Sequence, residues 1–598
     1  MPRIAVLNRD KCKPKDCGKP CMTFCPGVRM GDETVTFPDP AEHPVISEGL
    51  CTGCGICVKK CPYGAILIVN TPEQLEGQAS YRYGPNAFVL FRLPVPKIGK
   101  VTGIIGQNGA GKTTTLRILA GEIKPNLGRY DSPPSWDEIV TFYRGSELQL
   151  YFERIANNEL EVSYKPQYIT KLPQAAQGVV GELLEKTDKR GAIGNLKKQL
   201  DLENVWDHEL PKLSGGELQR VAIAAASAKD ADVYLFDEPT SYLDIFQRTK
   251  IGRVIRALAA EEKTVIVVEH DLAINDYVSD YTSVIFGEPG VYGIVSHPYG
   301  VREGINAFLN GYLADENIRF RDRSITFPLR PPTPKTALIE TPPVLEFGGM
   351  KKNLDGFRLT ISGGVIHQGE IIGVLGPNGI GKTTFVKILA GLLEIDKGEP
   401  LGKELTISYK PQYISAEYDG TVGDYLVEVS GKKTATSIYK TEIISPLGLK
   451  DLLDRQVSSL SGGELQAVAI AGSLSRKADL LLIDEPSAFL DVEQRLASAK
   501  TIKRMVEKNK NAAFVVEHDV VYVDAVADRL MVFEGVPSLA GQVGSPTGMR
   551  EGMNKFLKMV GITLRRDART GRPRVNKSDS RLDQEQKTSG EYYYALAK

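Results

Sequence analysis

The sequence GQNGAGKT, residues 106–113, fits the pattern Gly-x-x-x-x-Gly-Lys-Thr of a phosphate-binding loop. The apolar run from Val101 to Ile105 before it predicts a buried strand, and a helix is expected from Thr113 to Leu119. The glycines let successive main-chain N–H groups face one centre, and the positive end of the helix strengthens their attraction for an anion. Lys112 is therefore expected to reach the β and γ phosphates of a nucleotide, and Thr113 to hold Mg²⁺.

A second copy of this loop makes a chance glycine-rich turn untenable as an explanation. The sequence GPNGIGKT, residues 376–383, follows the predicted strand from Ile371 to Leu375. Two nucleotide sites are therefore expected. Their loop residues are Gly106, Asn108, Gly109, Gly111, Lys112, Thr113 and Thr114 in the first copy and Gly376, Asn378, Gly379, Gly381, Lys382, Thr383 and Thr384 in the second.

Each loop is followed by the same series of polar motifs. In the first copy Gln167 ends the sequence Tyr-Lys-Pro-Gln, and its amide suits contact with Mg²⁺ and an attacking water. Further on, Ser214-Gly-Gly-Glu217 precedes an alanine-rich helix. Ser214 and the N–H groups of Gly215 and Gly216 therefore offer donors at a helix start, where a phosphate could dock.

Two carboxylates and a histidine complete the series. The predicted strand from Val233 to Phe236 ends in Asp237 and Glu238, which places one carboxylate on the metal and the other where it can orient or deprotonate water. His270, after the predicted strand from Val265 to Val268, is expected to sense the γ-phosphate. Each feature alone is weak evidence, because a lone histidine is more often structural and an Asp-Glu pair usually lies in a solvated turn. Their fixed order is the evidence.

The chain is an internal duplication, since the series returns after the second loop. Its second members are Gln412, Ser461, Gly462, Gly463, Asp484, Glu485 and His518. Lys382 lies 270 positions after Lys112 (382 minus 112), whereas Gln412 lies only 245 positions after Gln167 (412 minus 167). The first copy therefore carries about 25 additional residues between its loop and Gln167.

The additional residues fall near positions 131–160 and predict two short helices. Ser135 and Ser146 each begin a capping-box pattern, and Gly145 between them marks a stop. The apolar residues of both helices form a stripe that is expected to pack one helix on the other. The stripe consists of Trp136, Ile139, Val140, Tyr143, Leu148, Tyr151, Phe152 and Ile155. The outward residues, expected to contact a large partner, include Arg144, Glu153 and Arg154.

All eight cysteines lie in one stretch near the amino terminus, which indicates a dedicated module. The run Cys51-x2-Cys54-x2-Cys57-x3-Cys61-Pro62 matches the bacterial ferredoxin pattern, whereas Cys12-x4-Cys17-x3-Cys21-x3-Cys25-Pro26 has wider early gaps. In the two-cluster ferredoxin fold the last cysteine of each run binds the cluster of the other run. One 4Fe–4S cluster would then be held by Cys12, Cys17, Cys21 and Cys61, and the other by Cys25, Cys51, Cys54 and Cys57.

Two questions about this module stay open at the level of sequence. Zinc is the alternative to iron–sulfur clusters. Electron transfer is the alternative to a structural role, in which metal bonds replace the core that about 75 residues cannot build unaided. The structural role, with the rigid module as a moving part, is the favoured interpretation.

Length and composition describe a soluble protein of several domains. The 598 residues suggest about three to five domains, and 42% apolar with 25% charged residues is ordinary for globular proteins. Lys plus Arg equals Asp plus Glu at 74 each, so any basic surface must be local. We expect no membrane span and a cytoplasmic location, because no apolar run approaches the length of about 18 to 20 residues.

The domain boundaries are predicted from these features. Residues 1–75 form the ferredoxin-like domain, 76–315 and 341–560 the two nucleotide-binding domains, 316–340 a basic hinge, and 561–598 a basic carboxyl-terminal hinge and tail. The hinge carries Arg319, Arg321, Arg323, Arg330 and Lys335, with prolines at 331, 332 and 334. The tail carries Arg565, Arg566, Arg569, Arg572, Arg574, Lys577 and Arg581. Charge runs are usually solvated faces, but these two are the best candidates for hinges and for contacts with RNA phosphate.

The ordered motifs resemble the nucleotide-binding domain of the ATP-binding-cassette (ABC) family. The resemblance implies an α/β fold with two P-loop cassettes in tandem, beside the small ferredoxin-like α+β domain. It also implies that the cassettes pair head to tail within a monomer, so that each ATP lies between the loop of one cassette and the Ser-Gly-Gly of the other. Site one would join Lys112, Thr113, Gln167, Asp237, Glu238 and His270 with Ser461 and Gly463. Site two would join Lys382, Thr383, Gln412, Asp484, Glu485 and His518 with Ser214 and Gly216.

Over its whole length the chain resembles the ribosome-recycling ABC subfamily first named RNase L inhibitor. The features that carry this resemblance are the cysteine module, the helical insertion, the absence of a membrane span and the tail GITLRRDARTGRPRVNKSDSRLD, residues 561–583. The subfamily implies an ATPase that splits ribosomes after termination with a release-factor-like protein and stays on the small subunit and its rRNA, with initiation factors as further partners. It also implies that Tyr83 and Phe88 flank the adenine of site one.

Two other classes of function remain open. A transporter ATPase would work with a separate permease, and an ATP-driven electron carrier would couple hydrolysis to reduction of its clusters.

Overall fold

The computed structural model describes residues 3–9, 11–39, 42–70, 75, 77–169, 172–327, 341–354, 356–398, 405–412, 418–431, 434 and 436–593. These residues form a small amino-terminal module and two larger units, each built on a mostly parallel sheet with helices on both faces. The predicted fold class, two α/β cassettes in tandem with a small α+β domain, is confirmed.

The amino-terminal module is a small α+β unit whose core contains cysteines. Its elements are the antiparallel strands Arg3–Leu7 and Ile66–Asn70, the pair Val35–Thr36 and Val45–Ile46, and the helices Pro20–Thr23, Pro26–Arg29 and Ile56–Lys60. Cys21, Cys51 and Cys57 are buried in one cluster with Val35 and Ile46. The apolar part of this core is small, so the thiols and whatever they bind are part of what holds the module together.

The first cassette is a nine-stranded sheet. In spatial order its strands are Ala79–Arg82, Val89–Phe91, Tyr292–Val295, Tyr281–Glu288, Val101–Gly106, Thr264–Val268, Val233–Asp237 and Val162–Lys165, with Tyr299–Gly300 paired to Tyr281–Glu288. Its helices are Lys112–Leu119, Trp136–Phe142, Glu147–Ala156, Leu172–Ala175, Val180–Thr187, Ile193–Gln199, Gly215–Ala228, Ile245–Ala260, Leu272–Val278 and Val301–Asn310.

The second cassette repeats this plan on a ten-stranded sheet. Its strands run in the spatial order Lys397–Gly398, Met350–Leu354, Phe357–Ile361, Ala540–Val543, Arg529–Val536, Ile371–Leu375, Ala512–Val516, Leu480–Asp484 and Ile407–Lys410, with Thr547–Gly548 paired to Arg529–Val536. Pro343–Phe347 and Gly364–His367 form a separate antiparallel pair. Its helices are Lys382–Leu389, Val422–Ser430, Ser437–Tyr439, Gly462–Ser475, Val492–Asn509, Val520–Val526 and Met549–Val560.

The central strands of both sheets are fully buried, which explains their continuous apolar sequences. Val101–Gly106, Thr264–Val268 and Val233–Asp237 are parallel neighbours, and every residue in them is buried. Parallel strands buried on both faces need helices on both sides. Because their carboxyl ends lie at one edge of the sheet, the residues that follow these strands meet there.

The two helices of the insertion pack both on each other and on the first cassette. The rings of Tyr143 and Phe152 lie 5.0 Å apart, and both side chains belong to a buried cluster that includes Leu116 of the cassette. Ser135 forms the predicted capping box, but Ser146 does not: its hydroxyl donates to the carbonyl of Tyr143 and accepts no hydrogen bond from the first helical turn.

The predicted outward face of the insertion is only partly free. Arg154 was expected to face a partner, but its guanidinium lies 2.9 Å from the carboxylate of Asp232 in the same cassette. Glu153 accepts a hydrogen bond from Gln149, whereas Arg144 is exposed.

The basic tail is buried against both cassettes, so the predicted contact with RNA phosphate is wrong for its central arginines. Arg572 is completely buried and lies 2.9 Å from the carboxylate of Asp276 in the first cassette. Arg574 donates twice to the same carboxylate, and Arg566 pairs with Asp524 of the second cassette. A guanidinium leaves water only for a fixed anionic partner, and these carboxylates provide it.

The tail elements link the two cassettes mechanically. Strands Leu564–Arg566 and Pro573–Val575 pair antiparallel, and helix Arg581–Ser589 follows them. Burial opposes ionisation of Asp276, but the charges of Arg572 and Arg574 hold the pKa of that carboxyl below its usual range. The tail is therefore an internal joint rather than a free basic surface.

The basic hinge between the cassettes is described as far as Phe327. Tyr312–Leu313 and Ile318–Arg319 form a short antiparallel pair, and the guanidinium of Arg319 lies 5.3 Å from the ring centre of Tyr312. Arg330, Lys335 and the three prolines lie outside the described residues. Within the parts of the chain that the structure describes, no helix combines the length and the apolar character needed to cross a bilayer.

Candidate nucleotide sites between the cassettes

The first phosphate-binding loop joins strand Val101–Gly106 to helix Lys112–Leu119. Gly111 has a φ of +99°, and a Cβ there would lie 2.7 Å from the ring of Phe88, so only glycine fits this position. The ammonium of Lys112 is buried and donates to the carbonyls of Gly106 and Gln107 at 3.0 and 2.8 Å. It is held at the centre of the loop.

The second loop has the same conformation. Gly379 and Gly381 have φ values of +69° and +98°, against +76° and +99° at Gly109 and Gly111. The ammonium of Lys382 donates to the carbonyls of Gly376 and Pro377 at 3.0 and 2.7 Å.

A threonine and an aspartate meet behind each loop. The hydroxyl of Thr113 donates to Asp237 at 2.8 Å, and that of Thr383 donates to Asp484 at 3.0 Å. Burial and then the neighbouring glutamate raise the pKa of Asp237 and of Asp484 to about 6. A partly buried hydroxyl beside a buried carboxylate fits a hard divalent cation such as Mg²⁺.

The predicted catalytic glutamate of each site lies in a network of donors. Glu238 accepts a hydrogen bond from the amide of Gln167 at 2.8 Å, and Nε2 of His270 lies 3.3 Å from its carboxylate. Its φ of +46° is unusual for a residue other than glycine, and such strain persists where the surrounding structure enforces it. In the second site Gln412 donates to Glu485 at 2.7 Å, His518 lies 3.4 Å away, and φ is again +46°.

The electrostatics keep both glutamates ionised. Burial opposes this, but the contact with His270 and the charge of Lys112 hold the pKa of Glu238 well below its usual range. The same balance lowers the pKa of Glu485 to about 2. Burial and then the charge of Lys112 lower the pKa of His270, so its imidazole is neutral near pH 7. A neutral imidazole beside a carboxylate can donate to a phosphate oxygen or a water.

Two further side chains that sequence reasoning missed hold each glutamate in place. Lys165 donates to the carbonyl of Asp237 at 2.8 Å, and Gln219 donates to that of Glu238, also at 2.8 Å. Lys410 and Gln466 make the equivalent bonds in the second cassette. The available signal was their repetition, because both lysines stand in Tyr-Lys-Pro-Gln and both glutamines follow Ser-Gly-Gly-Glu-Leu.

The two cassettes face each other head to tail. Asp491 of the second cassette accepts a hydrogen bond from the N–H of Asn108 in the first loop at 3.1 Å. Asp244 of the first cassette accepts from the N–H of Asn378 in the second loop at 2.7 Å. These aspartates end the Ser-Tyr-Leu-Asp and Ala-Phe-Leu-Asp motifs, so each motif binds the phosphate-binding loop of the opposite cassette.

One continuous cavity of about 1590 Å³ contains both sites. It is lined by Lys112 together with Ser461, and by Lys382 together with Ser214. All the residues predicted to bind or act on nucleotide line this cavity except four that lie behind the loops. The four are Gly106, Gly376, Asp237 and Asp484.

A helix begins at each Ser-Gly-Gly motif, as predicted. Ser214 and Ser461 cap the helices Gly215–Ala228 and Gly462–Ser475 through capping boxes with Glu217 and Glu464. The free main-chain N–H groups of such a turn attract phosphate.

Two aromatic residues stand at the wall of the first site. Tyr83 is about half exposed at 49%, and its hydroxyl lies 3.0 Å from that of Thr114. Phe88 packs against Gly111. Both line the cavity beside the first phosphate-binding loop.

The cysteines form two groups in the amino-terminal module. Cys12, Cys17, Cys21 and Cys61 surround one small cavity, and Cys25, Cys51, Cys54 and Cys57 surround another. These are the crossed sets that the ferredoxin resemblance implies. Burial raises the pKa of Cys21 and of Cys57 to about 11 in the absence of a cation. Each set of four thiols in a largely apolar pocket fits a 4Fe–4S cluster.

Comparison with known proteins places this architecture in a family. Residues 96–241 and 361–488 match the ABC transporter family, residues 44–67 the 4Fe-4S binding domain, and residues 2–33 the Fer4-like domain described for RNase L inhibitor. An ABC transporter ATP-binding protein of Methanocaldococcus jannaschii is 52% identical over 597 residues, which cover 99% of this chain and 97% of that protein. The chain belongs to the RNase L inhibitor family of ABC proteins. As a member of that family it is an ATP-hydrolysing enzyme that also carries an iron–sulfur domain.

Two solved structures of RNase L inhibitor family proteins are similar over most of the chain. A structure of ribosome-bound archaeal Pelota and ABCE1 matches with 55% identity, a TM-score of 0.91 and 99% coverage of both chains. A complex of the archaeal ribosomal stalk protein aP1 with the archaeal ribosome recycling factor aABCE1 matches with 54% identity and a TM-score of 0.83, covering 87% of this chain and 100% of that one. The predicted family and enzyme class are confirmed.

Proposed function

We propose that the chain uses ATP binding and hydrolysis to split ribosomes into subunits after termination or stalling. The observation that carries the proposal is one loop of the first cassette, residues 82–88, which contacts both the nucleotide cavity and the amino-terminal module. Tyr83 and Phe88 of this loop line the cavity. Asn86 and Arg82 of the same loop hold the module.

The contacts with the module are buried and numerous. The amide of Asn86 donates to the carbonyls of Ala5 and Ile46 at 2.9 Å each and accepts from the N–H of Ile46 at 2.7 Å. Arg82 binds Glu48 through both of its terminal nitrogens. A bidentate pair of this kind fixes direction as well as distance. A nucleotide that moves the loop would therefore move the module.

The chemistry of the cassettes follows from the residues around the cavity. The N–H groups behind Ser461 and Ser214 bind the phosphates held by the opposite loop, so ATP joins the cassettes. Glu238 and Glu485 orient a water for attack, and the neutral imidazole of His270 stabilises the terminal phosphate. Loss of that phosphate removes the bond between the halves, and the interface opens.

The implied inorganic groups fit the residues present. Thr113 with Asp237, and Thr383 with Asp484, would hold Mg²⁺, which supplies positive charge to the phosphates. The two cysteine sets would hold two 4Fe–4S clusters, which act as covalent cross-links in a module whose apolar core is small. In the proposed mechanism the clusters keep the amino-terminal module rigid.

The proposed partners follow from the relatives. Family members were solved with a ribosome, with the release-factor-like Pelota and with a stalk protein. We propose the small ribosomal subunit and its rRNA as the lasting partner, a release-factor-like protein as the partner in splitting, and initiation factors as later ones. These proposed partners support a cytoplasmic location.

The test is sedimentation of the protein with purified small subunits. The double variant Glu238→Gln with Glu485→Gln should bind ATP without hydrolysing it, and should sediment with small subunits when ATP is added. The control is Lys112→Ala with Lys382→Ala, which lacks both phosphate ligands and should stay in the supernatant. The proposal fails if the double glutamate variant remains free of small subunits with ATP present.

A further inference from the structure

The two edges of the cassette interface are built differently, although the cassettes are copies of each other. Two positions after the aspartate that contacts the opposite loop, the first cassette has Phe246 and the second has Glu493. One position after the first glycine of the loop, the first cassette has Gln107 and the second has Pro377. The two cassettes therefore differ in residue type at two equivalent positions of the interface.

At the first site the edge is polar. The amide of Gln107 donates to the carboxylate of Glu493 at 2.7 Å, and the same oxygen of Glu493 lies 3.1 Å from the guanidinium of Arg321. Since Asn108 donates to Asp491, two consecutive residues of the first loop are held by the second cassette.

Arg321 belongs to the hinge and is anchored on the first cassette. Its guanidinium donates to the carbonyl of Phe308 at 2.8 Å, in the last turn of helix Val301–Asn310, where a cation is favoured. It also packs over the ring of Phe308, and its side chain is only 10% exposed. Glu493 of the second cassette therefore contacts both the phosphate-binding loop, through Gln107, and the hinge, through Arg321.

At the second site the edge is apolar. Phe246 packs edge-to-face on Phe556, with ring centres 5.9 Å apart. Pro377 has no side-chain donor, and among the described residues the hydrogen bond found from the second loop to the first cassette is that of Asn378 to Asp244. Aromatic packing does not depend on ionic strength, whereas a partly exposed ion pair is screened by salt.

We propose that Glu493 is a positioning residue that couples the first ATP site to the hinge and makes that site more sensitive to salt than the second. The inference rests on the proposed assignment of residues 106–113 as an ATP site. Because Glu493 holds Gln107 before nucleotide arrives, it reduces the ordering that ATP must impose on the loop. Its loss should raise KM for ATP at the first site and leave kcat there nearly unchanged, since bound substrate and transition state lose the same contact.

The test measures each site separately. The variant Glu485→Gln leaves only the first site active, and Glu238→Gln leaves only the second. In the first background Glu493→Ala should raise KM about tenfold with kcat changed less than about twofold. Glu493→Gln keeps an acceptor for Gln107 and loses only the ion pair, so its KM should rise about threefold. In the second background neither variant should change KM by more than about twofold.

Two further measurements separate positioning from general damage. Raising salt from about 0.05 M to about 0.5 M should raise KM more at the first site than at the second, and Glu493→Ala should remove this difference. Gln107→Pro gives the first loop the residue that the second loop already has, so it should fold and should reproduce the loss of the amide contact. Combined with Glu493→Ala it should cause no further loss. Glu585→Gln, which breaks the exposed pair with Arg581 in the tail helix, is the control that should change nothing.

The outcomes are distinct. Equal changes of KM at both sites, an unchanged KM at the first site, or additive effects of the Gln107 and Glu493 variants would each overturn the inference and leave the proposed function standing. If neither single-site background binds ATP, the proposed sites fail, and the inference fails with them.

Discussion

The carboxylate of Asp244 accepts a hydrogen bond from the N–H of Asn378, 2.7 Å away in the opposite cassette. The other oxygen of the same carboxylate accepts from the N–H of Gln247 at 2.9 Å and thereby caps helix Ile245–Ala260. One side chain therefore ties a long helix of the first cassette to the phosphate-binding loop of the second. Asp491 does the same in reverse for the first loop.

The contact of Asp244 predicts a loss of turnover at the second site when the charge is removed. Asp244→Ala should lower kcat/KM of the second site by about ten- to a hundredfold, because charge-assisted hydrogen bonds contribute about 1.5 to 3 kcal/mol. Asp244→Asn still caps the helix and should have a smaller effect. Steady-state ATP hydrolysis in the Glu238→Gln background measures this. Ser135→Ala removes a helix cap in the insertion, outside the nucleotide cavity, and a similar loss in that control would contradict the explanation.

The buried ammonium of Lys382 predicts a pH limit for nucleotide binding. Burial lowers the pKa of Lys382 to about 8, and the carboxylates of Asp244 and Glu485 only partly offset this. Phosphate needs the charged form, so binding must take up a proton once the pH exceeds this pKa. Affinity should therefore be constant below about pH 7 and fall about tenfold per pH unit above about pH 8.

Calorimetry in two buffers of different ionisation enthalpy tests this pH limit. In a Lys112→Ala background, which leaves only the second site, binding at about pH 9 should take up close to one proton. Lys382→Arg stays charged at this pH and should show no proton uptake. Binding without proton uptake by the Lys382 protein at that pH would contradict the prediction.

The buried tail predicts an unequal response to two changes of charge. Asp276→Asn removes the carboxylate that binds both Arg572 and Arg574, leaving only the more distant Asp567, 3.7 Å from Arg574, and should destabilise the joint by about 3 to 5 kcal/mol. Glu303→Gln breaks the exposed pair with Arg569 and should cost about 0 to 1 kcal/mol. Unfolding in urea, monitored by the rate at which a protease releases the tail, measures the loss of stability in both variants. Equal urea midpoints for the two variants would show that losing the buried ion pair of Asp276 destabilises the protein no more than losing the exposed pair of Glu303.

The cysteine grouping predicts which clusters survive a single substitution. With two 4Fe–4S clusters the protein should contain about eight irons per chain, and Cys54→Ser should reduce this to about four by removing one ligand set. ATP turnover should persist, since the cassettes keep every residue of their sites, but splitting of ribosomes should be lost. Thr52→Ser, two positions away, is the control. Normal splitting by the Cys54 variant would remove the module from the mechanism.

The sequence predicted the elements whose burial is complete. The strand expected from Ile371 to Leu375 is the observed Ile371–Leu375, because a parallel strand covered on both faces is a continuous apolar run. The family resemblance implied that Glu238 and His270 share one site, and the structure brings them together because parallel strands carry their ends to one edge.

Contacts between distant basic and acidic residues could not be predicted in this way. Arg572 and Asp276 are 296 positions apart, and nothing beside Arg572 distinguishes a buried arginine from a solvated one. The usable signal was on the acidic side, because Asp276 and Asp524 occupy matching places in two otherwise apolar helices. The capping box expected at Ser146 is absent, and the side chain of Gln149 accepts from the N–H of Gly145 rather than from that of Ser146.

The pairing of Asp276 with Arg572 also bears on how the chain is made. When helix Leu272–Val278 has just been synthesised, the cationic partner of Asp276 lies 296 positions further along the chain, and translation reaches it about 15 to 60 s later at ordinary elongation rates. During that delay the carboxylate keeps its water, and the surface that the tail will cover stays open to chaperones. Only a nascent chain translated to its final strands can close that surface, so truncated products remain recognisable to quality control.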